Sequence, residues 1–354
     1  MDKTNVDVLK KDLGININAF PKEISLDYNG KRNKLKMTLT QAAAGFLKKG
    51  KHYINMQEDS ACFEAWCLII KAQTKTSNHG FEIELDVDGI TGTSYPTKKN
   101  DSRQPANGHL GRFLYRILKF SEQYNEWFKL SQTLEKSKDK FKEYLYNNNF
   151  ETNAPSKEAE TDLDKLLNKG LESYVEQLLV DTGNNKTKIL KLSSESAIVG
   201  RQLPVGLYEG TKAKDNVVFT GGSSAADFWA VDGDTIKVYE LKSKNPMVGI
   251  ITEIFFYSNY VYDVFIEKGN KMFPYKPKKY YRNYDKIKGK KVQGIMISNR
   301  KDDKQDNNDG WHASLTEEGS RDLIIDKMNN NGTDGKIQYG WIEYNFDMRI
   351  AVIP

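Results

Sequence analysis

Asp227, Glu240 and Lys242 are the residues of this chain whose types and spacing could do chemistry together. They bracket Asp227-Phe-Trp-Ala-Val-Asp-Gly-Asp-Thr-Ile-Lys-Val-Tyr-Glu240-Leu-Lys242. Residues 226–231 and 236–242 are rich in β-formers, and Asp232-Gly233-Asp234 between them is a turn signal, so the stretch predicts a β-hairpin. If Val231 pairs with Ile236 across a loop at 232–235, the same register sets Trp229 opposite Val238 and Asp227 opposite Glu240. Alternation then places Asp227, Trp229 and Val231 on one face with Ile236, Val238, Glu240 and Lys242. Directly opposed residues have Cβ atoms about 4.5–5.5 Å apart. Two carboxylates at that separation repel unless positive charge lies between them, and a divalent cation supplies it. Their face-mates are apolar, so the face is expected to be buried, where charges are rare without a partner or a metal.

The spacing Asp-x12-Glu-x-Lys resembles the signature of the PD-(D/E)xK nuclease superfamily, the restriction-endonuclease-like fold. Glu240-Leu241-Lys242 matches its second half-motif. The first is matched at Asp227, with Ala226 where a proline usually stands. The resemblance spans residues 160–300 and implies a metal-dependent nuclease. Asp227 and Glu240 would hold one or two Mg²⁺ ions through hard oxygen ligands, with Mn²⁺ substituting. The cation would polarise the scissile phosphate and lower the pKa of a bound water. Lys242 would orient or activate that water. By the same resemblance the backbone carbonyl of Leu241 is a further metal ligand, and Glu172 of the preceding helix a metal-shell residue. By helical angle alone, Glu172 and Glu176 both fall on a polar, solvated face.

Elements are needed to position these groups. Residues 160–180 carry Leu163, Leu166, Leu167, Leu171, Tyr174, Val175 and Leu178 at helical period. Strand-like segments follow at 188–192, 198–208 and 216–220. After the hairpin and Asn245-Pro246, a helix over 248–266 aligns Ile250, Ile254, Tyr257, Val261 and Val264, and 291–298 reads as a buried strand. Helix, three or more strands, helix, strand is the core order of the resembled family. Glu253 lies at the edge of the apolar stripe of the second helix, beside Ile250, Tyr257 and Tyr260. It either binds tyrosine hydroxyls or reaches toward the metal site from outside the ligand set.

The partner is suggested by residues 268–291, where ten Lys or Arg face one acid, Asp285. Lys271, Lys276, Lys278, Lys279 and Arg282 are interleaved with Phe273, Tyr275, Tyr280, Tyr281 and Tyr284, and Pro274 and Pro277 argue for a loop. Clustered cations neutralise phosphates and aromatics stack on exposed bases. Lys271, Lys276, Lys278, Lys279, Arg282, Tyr280 and Tyr281 are therefore the expected nucleic-acid contacts.

At 354 residues the chain is long enough for two domains, and its net charge of +5 makes any binding surface local. No apolar run approaches the roughly 18–20 residues of a membrane span. The start of the chain has no signal-peptide core, and Cys62 and Cys67 read as reduced core residues, so a cytoplasmic location is expected. Residues 60–72 read as a buried helix, 81–87 as a strand, 111–130 as an aromatic-rich helical element and 132–149 as an amphipathic helix. Arg103, Arg112, Arg116 and Lys119 there could meet phosphates but more often form surface ion pairs. Polar residues 147–156, with Pro155, read as a linker. The expectation is an α/β protein: a separate N-terminal α+β domain for recognition or regulation (1–150), and a restriction-endonuclease-like mixed sheet flanked by helices (156–354). A helix near 316–329 and strands at 336–344 and 348–353 would extend that sheet at its edge. The expected activity is Mg²⁺-dependent endonucleolytic hydrolysis of DNA, in restriction or anti-phage defence. Expected partners are DNA and a second copy of the chain or a defence-system protein. Two alternatives stand beside it: a catalytically silent nucleic-acid-binding or assembly subunit, and RNA cleavage by the same chemistry.

Overall fold

The computed structural model describes residues 4–17, 19–75, 80–90, 108–155, 157–181, 190–220, 224–242, 248–266, 273, 283–299 and 320–344. In its first part run α1 (Asn5–Asp7, continued by a π-helical turn at Val8–Asp12), β1 (Ile24–Asn29), β2 (Lys34–Leu39), α2 (Phe63–Gln73), β3 (Glu82–Val87), α3 (His109–Gln123), β4 (Phe128–Leu130) and α4 (Gln132–Asn147). Then follow β5 (Phe150–Thr152), α5 (Leu163–Lys169), α6 (Leu171–Asp181), β6 (Ile198–Pro204), β7 (Leu207–Glu209) and β8 (Val217–Phe219). The last part holds β9 (Ala225–Asp232), β10 (Thr235–Lys242), α7 (Gly249–Phe265), β11 (Lys291–Asn299), α8 (Ser320–Asn329) and β12 (Ile337–Tyr344).

The predicted hairpin is β9–β10, and it lies inside a five-stranded mixed sheet of order β12-β11-β10-β9-β6. Strand β10 is antiparallel to β9 and parallel to β11, β6 is antiparallel to β9, and β12 adds to the edge parallel to β11. Alternation sends successive side chains to opposite faces. Trp229, Ile236 and Val238 pack with Ile250, Ile254 and Val261 of α7. Phe228, Ala230, Tyr239 and Leu241 pack with Val175 and Leu179 of α6 on the other face. Burial on both faces explains why β10 alternates poorly in polarity yet is buried over most of its length.

Three local expectations are corrected. The helix expected over 160–180 is broken into α5 and α6 at Gly170, whose φ of 147° leaves the helical region. The strand expected at 188–192 is, in its described part Leu190–Leu192, a turn whose carbonyls accept from Tyr239 and Lys237. The linker expected at 147–156 contains β5, which pairs with β7 in a three-stranded antiparallel sheet, β5-β7-β8.

The four-stranded sheet β1-β2-β3-β4 belongs to the first 150 residues, so the sheets divide near the expected boundary. The core does not. One continuous apolar cluster runs from Val8 through α2 and α3 to α7, β11 and α8. Contact across it is close: a Cβ on Gly111 of α3 would stand 1.9 Å from the Val218 carbonyl oxygen, and one on Gly249 of α7 2.0 Å from that of Gln57.

Candidate active site

The hairpin register starts as the sequence predicts, Val231 opposite Ile236 and Trp229 opposite Val238, and extends to Asp232 opposite Thr235, leaving Gly233-Asp234 as a two-residue turn. Gly233 takes the positive φ of 64° that such a turn needs. At the far end the ladder stops at Phe228 opposite Tyr239, one pair short of Asp227 and Glu240. On the other side, β6 pairs Arg201 with Phe228 and Leu203 with Ala226, omitting Gln202, which would face Asp227. Gln202 has φ 54°, a left-handed conformation that takes this one residue out of the ladder while the register on either side of it stays the same. Asp227 thus leaves both ladders. Its Oδ2 accepts a 2.7 Å hydrogen bond from the Leu241 N–H, standing in for a backbone carbonyl. The N–H and C=O of a strand residue point to the same neighbour, so the Leu241 carbonyl turns to the Asp227 side as well.

Glu240 and Lys242 share the face covered by α7. Lys242 Nζ lies 2.7 Å from Glu240 Oε1 and 2.8 Å from Glu253 Oε2. Of the two expectations for Glu253, the geometry supports the reach toward the hairpin. The second Glu240 oxygen, Oε2, is buried and accepts no hydrogen bond among the described residues. Burial, with Asp227 and Glu253 nearby, pushes the Glu240 carboxyl well above its ordinary range; Lys242 opposes the shift without cancelling it. Burial and the charge of Glu176 push Asp227 the same way. Burial alone would lower Lys242, but Glu240, Glu253 and Asp227 outweigh it and hold the ammonium protonated far above neutrality. Tyr257 of α7 borders the group, its hydroxyl raised by burial and by the same carboxylates. Three carboxylates around one ammonium leave the cluster short of positive charge.

Glu176 corrects the solvated-face expectation. It is 3% exposed, and its Oε2 accepts from Arg201 Nη2 at 2.9 Å and Gln202 Nε2 at 2.7 Å. Arg201 also donates to Gln177 Oε1 and to the carbonyls of Glu160 and Ser173. Helical angle could not reveal this, because the partner lies on β6. Glu172 is half-buried one turn earlier, and its charge reaches Asp227.

Among the expected nucleic-acid contacts, Lys271, Lys276, Lys278, Lys279, Tyr280, Tyr281 and Arg282 lie outside the described residues, as does Arg103. Phe273 and Tyr284 are described and are not exposed stacking groups. Phe273 packs against Tyr115, Phe150 and Phe219, and Tyr284 meets Trp229 edge-on and donates to the Gln202 carbonyl. Nor are the cations of α3 surface pairs. Arg116 binds Glu64 and the Ala61 carbonyl in the interior, Lys119 binds Asp263, and Arg112 donates to Nδ1 of His109. Burial and Arg112 lower His109 to about 4, which keeps it a neutral acceptor.

Among the described residues no three His, Cys, Asp or Glu side chains are grouped closely enough to hold a metal by themselves. The donor set at the hairpin is of another composition, two carboxylates with a main-chain carbonyl. All three are hard oxygen donors, and the unpaired Glu240 oxygen is the kind of atom a divalent cation satisfies. No described helix is long and apolar enough to cross a membrane. No protein-family model, curated protein or solved structure matches the chain.

Proposed function

We propose that the protein is a metal-dependent endonuclease acting on DNA, with Asp227, Glu240 and Lys242 as its catalytic set. The observation that carries this reading is the buried Glu240 oxygen without a hydrogen bond, beside Asp227 and Lys242 at the end of the hairpin. Supporting it, α6, the antiparallel run β6-β9-β10, α7 and the parallel strand β11 follow the helix–strands–helix–strand order of the resembled nucleases. We read this unit as restriction-endonuclease-like.

Asp227, Glu240 and the Leu241 carbonyl would hold Mg²⁺ or Mn²⁺, with Glu172 beyond them. When bound, such a cation supplies Lewis acidity at the phosphate and a more acidic water. The protein's own groups divide the remaining work. Lys242 keeps its proton through neutral pH, so it serves as a fixed positive charge and donor that orients the attacking water. Glu253 holds Lys242 from α7 and sets its direction, and Arg201 takes up the charge of Glu176 behind Asp227.

The test is cleavage of plasmid and single-stranded DNA with Mg²⁺, Mn²⁺ or EDTA, by wild type and Glu240→Ala, with RNA in parallel. Metal-dependent cleavage of DNA, lost in the variant, is the expected result; equal cleavage in EDTA would overturn it. A second reading, a silent binding subunit, draws on the two ion pairs that already occupy Lys242. Calorimetric titration with Mg²⁺ separates the two, since the silent subunit binds none at Glu240.

A further inference from the structure

A cleft of about 670 Å³ opens at the start of β9, beside the site but separate from the catalytic set. Arg201, Gln202 and Pro204 of β6 line it together with Ser224 and Ala225, and the other lining comes from residues 153–155 and 157–160, from α5 and α6, and from Lys212 after β7. Ala225 is two strand residues from Asp227, about 6–7 Å along the chain. Anything leaving a phosphate held at Asp227 and Glu240 in this direction enters the cleft.

The lining states what kind of occupant fits. Lys157, Lys169, Arg201 and Lys212 contribute to it against Glu158 and Glu160. Arg201 is fully engaged with α6. Lys169 and Lys212 are exposed, and among the described residues neither stands within ion-pair distance of a carboxylate. Among the described residues Lys212 Nζ donates to the Ala154 carbonyl, at 3.1 Å, while its backbone N–H donates to Glu151 Oε2, also at 3.1 Å, so a carboxylate lies near this lysine without pairing with its ammonium. Among the described residues no Phe, Tyr, Trp or His lines the cleft, which leaves the sugar–phosphate backbone rather than base stacking as the feature to grip. The volume is that of a ligand pocket and is too small for a duplex, whose major groove alone is about 12 Å wide.

We propose that this cleft holds a single-stranded polynucleotide segment next to the scissile phosphate, gripped through its sugar–phosphate backbone by Lys169 and Lys212. The assignment rests on the nuclease reading of the adjacent site. Contacts of this kind position a strand without reading its sequence.

The experiment is fluorescence-anisotropy binding of a labelled oligothymidylate in EDTA, across a salt series, with wild type and K169A/K212A. Each phosphate neutralised on a single strand contributes about 0.7 to the slope of log K against log salt. The double variant is expected to lose about 1.4 of that slope, with an equal loss on a mixed-sequence strand, while K169R/K212R keeps it. A slope unchanged in K169A/K212A, with wild-type melting behaviour, overturns the cleft assignment even if the protein cuts DNA. Slope loss together with no cleavage by wild type keeps the cleft and overturns the reaction. Wild type that neither binds the oligonucleotide nor cuts overturns both.

Discussion

Glu240 is the residue at which stability and chemistry meet. Its folded carboxyl titrates well above the ordinary value of 4.5, and Asp227 well above 3.8. An acid whose pKa is raised by folding binds its proton more tightly in the native state. Stability from these two groups is therefore complete below their unfolded values and is lost as pH rises from there through the folded values. The metal-free protein should melt at a lower temperature at about pH 8 than at about pH 5 for this reason. A divalent cation that prefers the ionised pair should restore more of the loss at the higher pH. Thermal melts in EDTA and in Mg²⁺ at both pH values check this, with Glu240→Gln removing most of the Mg²⁺ increment. A Mg²⁺ increment equal at both pH values, or retained in Glu240→Gln, would count against carboxylate ligation. The residue types, and the face that Glu240 shares with Lys242, were legible in the sequence. The side-chain bond from Asp227 to the Leu241 N–H was not, because it replaces the backbone pairing that the alternation rule assumes.

At the scale of elements, the sheet and its two covering helices set the site, and the least predictable part is the join between α6 and β6. Arg201 is 6% exposed and ties Glu176, Gln177 and the carbonyls of Ser173 and Glu160 to the strand whose next residue, Gln202, drops out of the ladder opposite Asp227. Removing Arg201 leaves Glu176 buried with the Gln202 amide as its donor among the described residues, and breaking a buried pair this way costs about 3–5 kcal/mol. Arg201→Ala should therefore lose stability on that scale in urea unfolding, and the Asp227 carboxyl should shift further upward as the charge behind it goes uncompensated. A loss under about 1 kcal/mol would mean that Glu176 reaches water once Arg201 is gone. Helical period located α6 and α7 but judged Glu176 by its own helix alone. Period reports which face is apolar; it does not report that a buried arginine on another element waits behind a polar one.

For the whole molecule, the question is whether the first 150 residues are an appendage or fold as one unit with the candidate site. Composition suggested a boundary, since 147–156 is polar and contains a proline, and the sheets do separate there. The side chains do not. Glu64 of α2 binds Arg116 of α3 and also accepts from Thr252 of α7 at 3.1 Å, one residue before Glu253. Asp263, at the other end of α7, accepts from Tyr115 at 2.6 Å and pairs with Lys119 at 2.7 Å. The helix that directs Lys242 is thus clamped at both ends by the first half of the chain, through charges that would be stranded in the interior if that half were removed. Such a unit unfolds together: calorimetry and urea titration of the full chain should each give one cooperative transition, coincident by tryptophan fluorescence and circular dichroism. A chain begun at residue 156 should lack fixed tertiary packing, visible as lost near-ultraviolet dichroism. Two resolved transitions, with the second half melting unchanged on its own, would show that the shared core adds little to either half and would return the first 150 residues to the role of an appended module.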